Sequence, residues 1–274
     1  MSRDFIEIAA VTDAGSVRQF NEDSIVTDPE IGVAILADGM GGHRAGEVAS
    51  HMATQIIMSG LQTQVAELRS AVAQHPPLRA VEESIIRANR AIFDAAQGQP
   101  TYHGMGTTLA LTLFFDNRVV LGHIGDSRIY RLRQNVLRLL TSDDSLLRDQ
   151  IELGFISLAD AGDSHNRSLV TRALGIEQSV SAHLREDEAY PDDIYLVCSD
   201  GLNDLVEDAD IALIINALKA NLPLAVNHLV QAAKDNGGYD NVSVILAKVL
   251  KPFPAASHKG WFSRLYDWLG LSAG

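Results

Sequence analysis

The stretch Leu109-Ala110-Leu111-Thr112-Leu113-Phe114-Phe115-Asp116-Asn117-Arg118-Val119-Val120-Leu121-Gly122-His123-Ile124 sets two apolar runs on either side of an Asp-Asn pair. Runs rich in β-branched and aromatic residues read as strands, and a two-residue turn pair between them predicts a hairpin over 107–115 and 118–124. The pattern repeats at once, with 127–133 and 136–140 flanking Gln134-Asn135. Consecutive hairpins require antiparallel sheets and argue against a doubly wound parallel fold.

Upstream, 5–11 alternates like a half-buried strand, and 31–37 is a nearly continuous apolar run that stops at Asp38-Gly39. Residues 44–72 and 77–97 read as helices. In the second, Leu78, Val81, Ile85, Ala88 and Ile92 recur at helical spacing behind Pro77, a residue suited to a helix start. Downstream, 143–170 is polar and mixed, 193–198 is a strand ending at Ser199-Asp200-Gly201, 208–220 and 224–234 are helical, and 242–249 is a closing strand. The expected fold is α+β, two antiparallel sheets with helices packed outside, in a single domain of residues 1–250.

Composition excludes several functions. A formal net charge of -13 argues against a general nucleic-acid binder, which needs a basic face to neutralise phosphates. Cys198 is the only cysteine, so neither an internal disulfide nor a cysteine-rich zinc site is expected, and a reducing compartment fits. The start Met1-Ser2-Arg3-Asp4 is followed by alternation, with no signal-peptide pattern, and no run approaches the ~18 apolar residues of a membrane span. The expected location is cytoplasmic.

Four aspartates recur at strand ends. Asp38, Asp126 and Asp200 follow apolar runs, and Asp240 precedes one. Carboxylates converging from distant strands repel unless protonated or neutralised by a cation. Hard divalent ions such as magnesium and manganese take oxygen ligands, and such a set would serve two ions ~3.5–4 Å apart. Each Asp-Gly pair alone is more simply a turn; it is their joint placement that points to metal.

The order of motifs resembles the metal-dependent protein phosphatase family, the type 2C or PPM serine/threonine phosphatases, in its bacterial form. The matching stretches are Arg18-Gln19-Phe20-Asn21-Glu22-Asp23, Asp38-Gly39-Met40-Gly41-Gly42-His43, Gly106-Thr107-Thr108, Gly125-Asp126-Ser127-Arg128-Ile129-Tyr130, 169–175, Ser199-Asp200-Gly201-Leu202 and Asp240-Asn241-Val242-Ser243. The resemblance implies a four-layer sandwich of two antiparallel sheets flanked by helix pairs. It implies two Mn2+ or Mg2+ ions bridged by Asp38, with the Gly39 carbonyl on the first and Asp200 and Asp240 on the second. Asp126, with Asp200, would hold a weaker third ion. Glu22 and Asp23 would hold metal-bound waters, and Arg18 would grip the substrate phosphate. The implied reaction is attack of metal-activated water on phosphoserine or phosphothreonine in proteins, opposing a bacterial serine/threonine kinase or acting on its targets.

Two departures concern protons. Met40 stands where many members carry a histidine proposed as general acid, and Asp143-Asp144-Ser145 replaces an Asp-His-Ser. A catalytically weak or inactive phosphoprotein-binding pseudophosphatase is therefore the alternative. His43 and His123 read as structural, and neither Ser127 nor Ser199 sits in a serine-hydrolase pattern. Residues 145–170 occupy the position of the family's flap. The tail, 251–274, reads as a short amphipathic helix carrying Trp261, Phe262, Leu265, Tyr266, Trp268 and Leu269. Docking on its own domain is the first expectation for it, a partner surface the second and a membrane interface the third.

Overall fold

Apolar runs that do not alternate require cover on both faces of a sheet. The computed structural model shows that cover; it describes residues 4–42, 44–68, 77–153, 155 and 169–253. The chain opens with β1 (Ile6–Asp13), β2 (Asp23–Asp28) and β3 (Val33–Met40), then α1 (Ala45–Leu68) and α2 (Pro77–Gly98). Next come β4 (Gly106–Thr107), β5 (Leu109–Phe115), β6 (Arg118–Ile124), β7 (Arg128–Arg133), β8 (Val136–Leu139) and α3 (Leu146–Glu152). After these follow β9 (His183–Glu188), β10 (Ile194–Cys198), α4 (Asp200–Asn203), α5 (Asp208–Leu218), α6 (Leu222–Asp235) and β11 (Val242–Val249).

One sheet runs β1-β11-β10-β7-β8 and the other β2-β3-β5-β6-β9, with β4 beside β3. Every pairing is antiparallel. Val33, Ile35 and Ala37 of β3 pack with Ala53 and Ile57 of α1 and Ile85 and Ile92 of α2. Ala34 and Leu36, on the opposite face, pack between the sheets with Tyr195, Val197 and Ile245. β10 mirrors this, turning Leu196 and Cys198 toward Ile211 and Ile215 of α5 and Leu229 of α6. The result is the helix–sheet–sheet–helix sandwich. Each fully buried Leu or Ile contributes roughly 1.5–3 kcal/mol, so the three apolar layers supply the main driving force.

Both predicted hairpins form. Asp116 and Asn117 have φ of 42° and 59°, and Gln134 and Asn135 have 52° and 66°. Two consecutive left-handed residues make the tight turn whose twist matches antiparallel strands. Asn117 does more: its Oδ1 accepts from the Phe253 amide at 2.7 Å, and its Nδ2 donates to the Phe253 carbonyl at 3.3 Å. Phe253 in turn stacks on Phe5, with ring centroids 5.6 Å apart. The rest of the predicted amphipathic tail, 254–274, and most of the flap lie outside the described residues.

The structure differs from the sequence reading in five places, the first being Thr108, where the predicted strand 107–115 breaks into β4 and β5. β3 does not stop before Asp38 but runs through it and Gly39 to Met40, because β2 and β4 continue to pair with it there. Asp200 opens the short helix α4 instead of lying in a plain turn. β2 and β9 carry no sequence prediction. Both are sheet edges, and β9 reads His183-Leu184-Arg185-Glu186-Asp187-Glu188, charges that blunt an edge against pairing and hide its alternation. Its acids pair instead with Arg118 and Arg131.

Asn117→Ala should therefore cost about 1–3 kcal/mol in urea unfolding, from the left-handed backbone and the missing Phe253 bonds together. Asn117→Gly should recover the backbone part alone, and an unchanged midpoint in both would remove this anchor from the fold.

Candidate metal centre

Antiparallel pairing decides which strand ends meet. β10 and β11 are antiparallel, so the end of β10 at Cys198 lies beside the start of β11, and the start of β7 lies there too. β3 and β6 are both antiparallel to β5, which puts their C-terminal ends on one edge of the second sheet. β2 brings Asp23 directly opposite Asp38. Asp23, Asp38, Asp126, Asp200 and Asp240 thus gather at one edge of the sandwich, from positions up to 217 residues apart (240 − 23).

Backbone approach at this edge is close enough to require glycine. A Cβ on Gly39 would stand 2.1 Å from the Gly46 carbonyl oxygen, and one on Gly201 would stand 2.0 Å from that of Asn241. Gly39 lets the start of α1 press on β3, and Gly201 lets α4 press on the segment before β11.

Uncharged side chains hold the acids in place. The Asp38 amide donates to Thr108 Oγ1 at 3.0 Å, and its carbonyl accepts from Thr107 Oγ1 at 2.8 Å. Ser199 and Ser243 hydroxyls both donate to Asp23 Oδ2, at 2.9 and 2.6 Å. Asn241 accepts from the Glu22 amide at 2.8 Å and donates to the carbonyls of Ala14 and Phe20. These residues sit inside the matching motifs, but they carry no charge and no periodic signal. Their positioning role is visible only in three dimensions.

The electrostatics are those of crowded, desolvated acids. Burial, then Asp23, Asp200, Asp126 and Asp240, push the Asp38 carboxyl well above the usual range. Asp200 is pushed up by burial, then by Asp126 and Asp240. Asp23 is raised to about 6 by burial, although Ser243 and Ser199 pull it back. Asp126 is raised to about 6 by burial and by Asp143. Glu22 is raised by burial, partly offset by the amides of Glu47 and Gly46 at the start of α1. Arg18 stands at the rim, its side chain 54% exposed, with Nη2 on Asp240 Oδ2 at 2.9 Å.

Among the described residues no three His, Cys, Asp or Glu side chains stand close enough together to chelate an ion as they are placed. The fit to metal rests on two other observations. Glu22 Oε1 and Asp23 Oδ1 are buried with no hydrogen-bond partner, a costly state that a cation or its water relieves. The gathered donors are carboxylate oxygens, the preference of magnesium and manganese.

The two departures also have places. Met40 ends β3, half-buried, and His43 lies outside the described residues. Asp143 is gripped by Arg128, with Nη2 at 2.7 Å and Nε at 3.0 Å. Asp144 accepts from the Gly125 amide at 3.0 Å and meets His183 Nε2 at 2.9 Å, so β9 brings a histidine to the acid that replaces one. His123 is buried, and burial lowers its pKa. Ser127 is buried against Thr108, and Ser199 is spent on Asp23, so neither is a free nucleophile.

A family profile described as protein phosphatase 2C matches residues 13–222. The serine/threonine phosphatase stp of Listeria innocua is 33% identical over 240 residues, which is 86% of this chain and 93% of that protein. The serine/threonine protein phosphatase PstP of Mycobacterium tuberculosis is 38% identical over 247 residues, 89% of this chain but only 45% of PstP. The crystal structure of the PstP catalytic domain with two manganese ions superposes with a TM-score of 0.77 at 36% identity, covering 90% of this chain and 99% of that one. The S. agalactiae serine/threonine phosphatase structure gives a TM-score of 0.79 at 32% identity, covering 89% and 100%.

The raised carboxyls set a sign for stability. Below about pH 4 they are protonated in folded and unfolded chains alike and carry no penalty. Between about pH 4, where the unfolded aspartates ionise, and about 6, where buried Asp23 and Asp126 do, the folded chain holds protons that the unfolded chain has lost, and stability falls. In chelator, the melting temperature should drop between pH 5 and pH 8. Manganese should raise it, by more at pH 8 than at pH 5. A flat or rising profile in chelator would contradict this account.

Proposed function

The chain belongs to the protein phosphatase 2C family, and we propose that it removes phosphate from phosphoserine and phosphothreonine in proteins, opposing a bacterial serine/threonine kinase. It is a metal-dependent protein serine/threonine phosphatase: relatives of 33–38% identity over most of the chain are named serine/threonine phosphatases, and a similar structure holds two manganese ions. The observation that carries the reading is the gathering of four desolvated aspartates, Asp23, Asp38, Asp126 and Asp200, with the half-buried Asp240 and an exposed arginine at one sandwich edge.

Asp38, the Gly39 carbonyl, Asp200 and Asp240 would hold the two core ions, manganese or magnesium, and Asp126 with Asp200 the weaker third. Bound there, such ions supply positive charge and a water of lowered pKa suited to attack on phosphorus. The chain's own residues do the positioning. Arg18 offers a planar fork of N–H donors, of which only Nη2 is engaged in the described bonds, so others can donate to phosphate oxygens. Thr107 and Thr108 fix the backbone of Asp38, and Ser199 and Ser243 keep the Asp23 carboxylate from swinging away. Glu22 and Asp23 each leave an oxygen to accept from an ordered water.

Met40 favours a second reading. A thioether cannot donate a proton to the leaving oxygen, so a phosphoprotein-binding protein of weak or no turnover is the alternative. We assign residues 1–250 to the catalytic domain. No helix among the described residues is long and apolar enough to cross a membrane. Action in the cytoplasm on a cognate kinase or its targets belongs to the proposal.

With manganese, the purified protein should hydrolyse a phosphothreonine peptide and lose that activity in excess chelator. Asp38→Asn should lower kcat by about 10²–10³-fold, as loss of one transition-state stabilising group does. Arg18→Ala should weaken kcat/KM by about 10–100-fold, the worth of a charged hydrogen bond. Metal binding with no turnover of any phosphopeptide would favour the second reading, and full activity in chelator would end the metal mechanism.

A further inference from the structure

Beside the carboxylates, the rim exposes apolar side chains that hydrolysis itself does not use. Val17, Phe20 and Tyr239 are 66%, 49% and 53% exposed. Val17 and Phe20 flank Arg18 on the segment 14–21, and Tyr239 adjoins Asp240. The two segments are tied together. The Ser16 amide donates to the Gly238 carbonyl at 2.6 Å, and Asn241 Nδ2 donates to the Phe20 carbonyl at 2.9 Å. Arg18 bonds Asp240 across the same gap. Phe20 is also held from the side, its ring centroid 5.0 Å from the Arg44 guanidinium, which Glu47 fixes at 2.8 Å.

Apolar groups clustered round a polar site, not scattered singly, mark an interaction surface. Here the polar site is the arginine proposed to take phosphate. A phosphoresidue held by Arg18 places its chain neighbours about 3.3–3.6 Å further along per residue, within reach of side chains one or two positions from Arg18. Arg18 is paired with Asp240 and Arg44 with Glu47, so the rim offers a phosphorylated segment the remaining N–H donors of Arg18 and not bare positive charge.

We propose that Phe20, Tyr239 and Val17 form a specificity rim that receives a bulky apolar side chain next to the phosphorylated residue of the protein substrate. This rests on the phosphatase reading above. An aromatic platform held in place by a cation offers apolar area at little entropic cost, and removing the apolar group that fills such a site changes discrimination by about tenfold.

The test uses the full chain with manganese and phosphothreonine peptides that carry leucine or glycine immediately before or after the phosphothreonine. The wild type should show kcat/KM about tenfold higher for leucine than for glycine on at least one side. In Phe20→Ala and Tyr239→Ala that ratio should fall toward one, the loss appearing mainly in KM. Phe20→Leu, which keeps the apolar bulk, should retain most of it. Turnover of all peptides with a wild-type ratio near one, or a ratio that survives in both alanine variants, would overturn the rim. No turnover of any peptide by the wild type would overturn the phosphatase reading and the rim with it.

Discussion

Four carboxylates brought into the low-dielectric edge of a sandwich, with a fifth at its rim, repel one another, and the other features of this site follow from that repulsion. Asp38 and Asp200 are pushed well up the pH scale, first by burial and then by their neighbours. A fold would ordinarily avoid such a cluster. It is tolerated when a cation occupies it, because the same field that makes ionisation costly makes a divalent ion bind strongly. The penalty in the empty protein and the affinity of the loaded one have a single cause.

The scaffold answers the repulsion with neutral donors and close backbone packing. Threonine and serine hydroxyls fix Asp38 and Asp23 without adding charge, and Asn241 ties residues 14–22 to the start of β11. Glycines at 39 and 201 let α1 and α4 come within contact of the neighbouring backbone. Preorganised in this way, the acids need not be gathered at the moment of reaction, which suits phosphoryl transfer, where positioning and charge dominate. Arg18 belongs to the same field: its partner Asp240 raises its pKa and holds it at the rim.

Much of this is legible in the chain alone. The Asp116-Asn117 and Gln134-Asn135 pairs announce hairpins because two consecutive left-handed residues suit few side chains, and Asp116, Asn117 and Asn135 are of the kinds that tolerate them. The strands β3, β10 and β11 announce burial on both faces by failing to alternate. β2 and β9 are not legible, because an edge strand is half solvated and its charges mask its period. Asp38 reads in sequence as lying beyond β3, since Asp-Gly is a turn pair in most contexts and only the partners β2 and β4 keep it extended. The replacement of a family histidine by Asp144 reads as a simple loss, whereas β9 carries His183 to that acid.

By itself, the sequence determined most of the elements, the antiparallel class and the four strand-end acids Asp38, Asp126, Asp200 and Asp240, because turn chemistry, apolar patterning and carboxylate placement are local properties. The tertiary structure alone decided which strand ends share an edge, and so which acids interact. It also decided which hydroxyls hold them, and that the segment carrying Val17, Arg18 and Phe20 is tied to the one carrying Tyr239 and Asp240. Those relations depend on strand order and register, and contacts between residues two hundred positions apart leave no local trace in the chain.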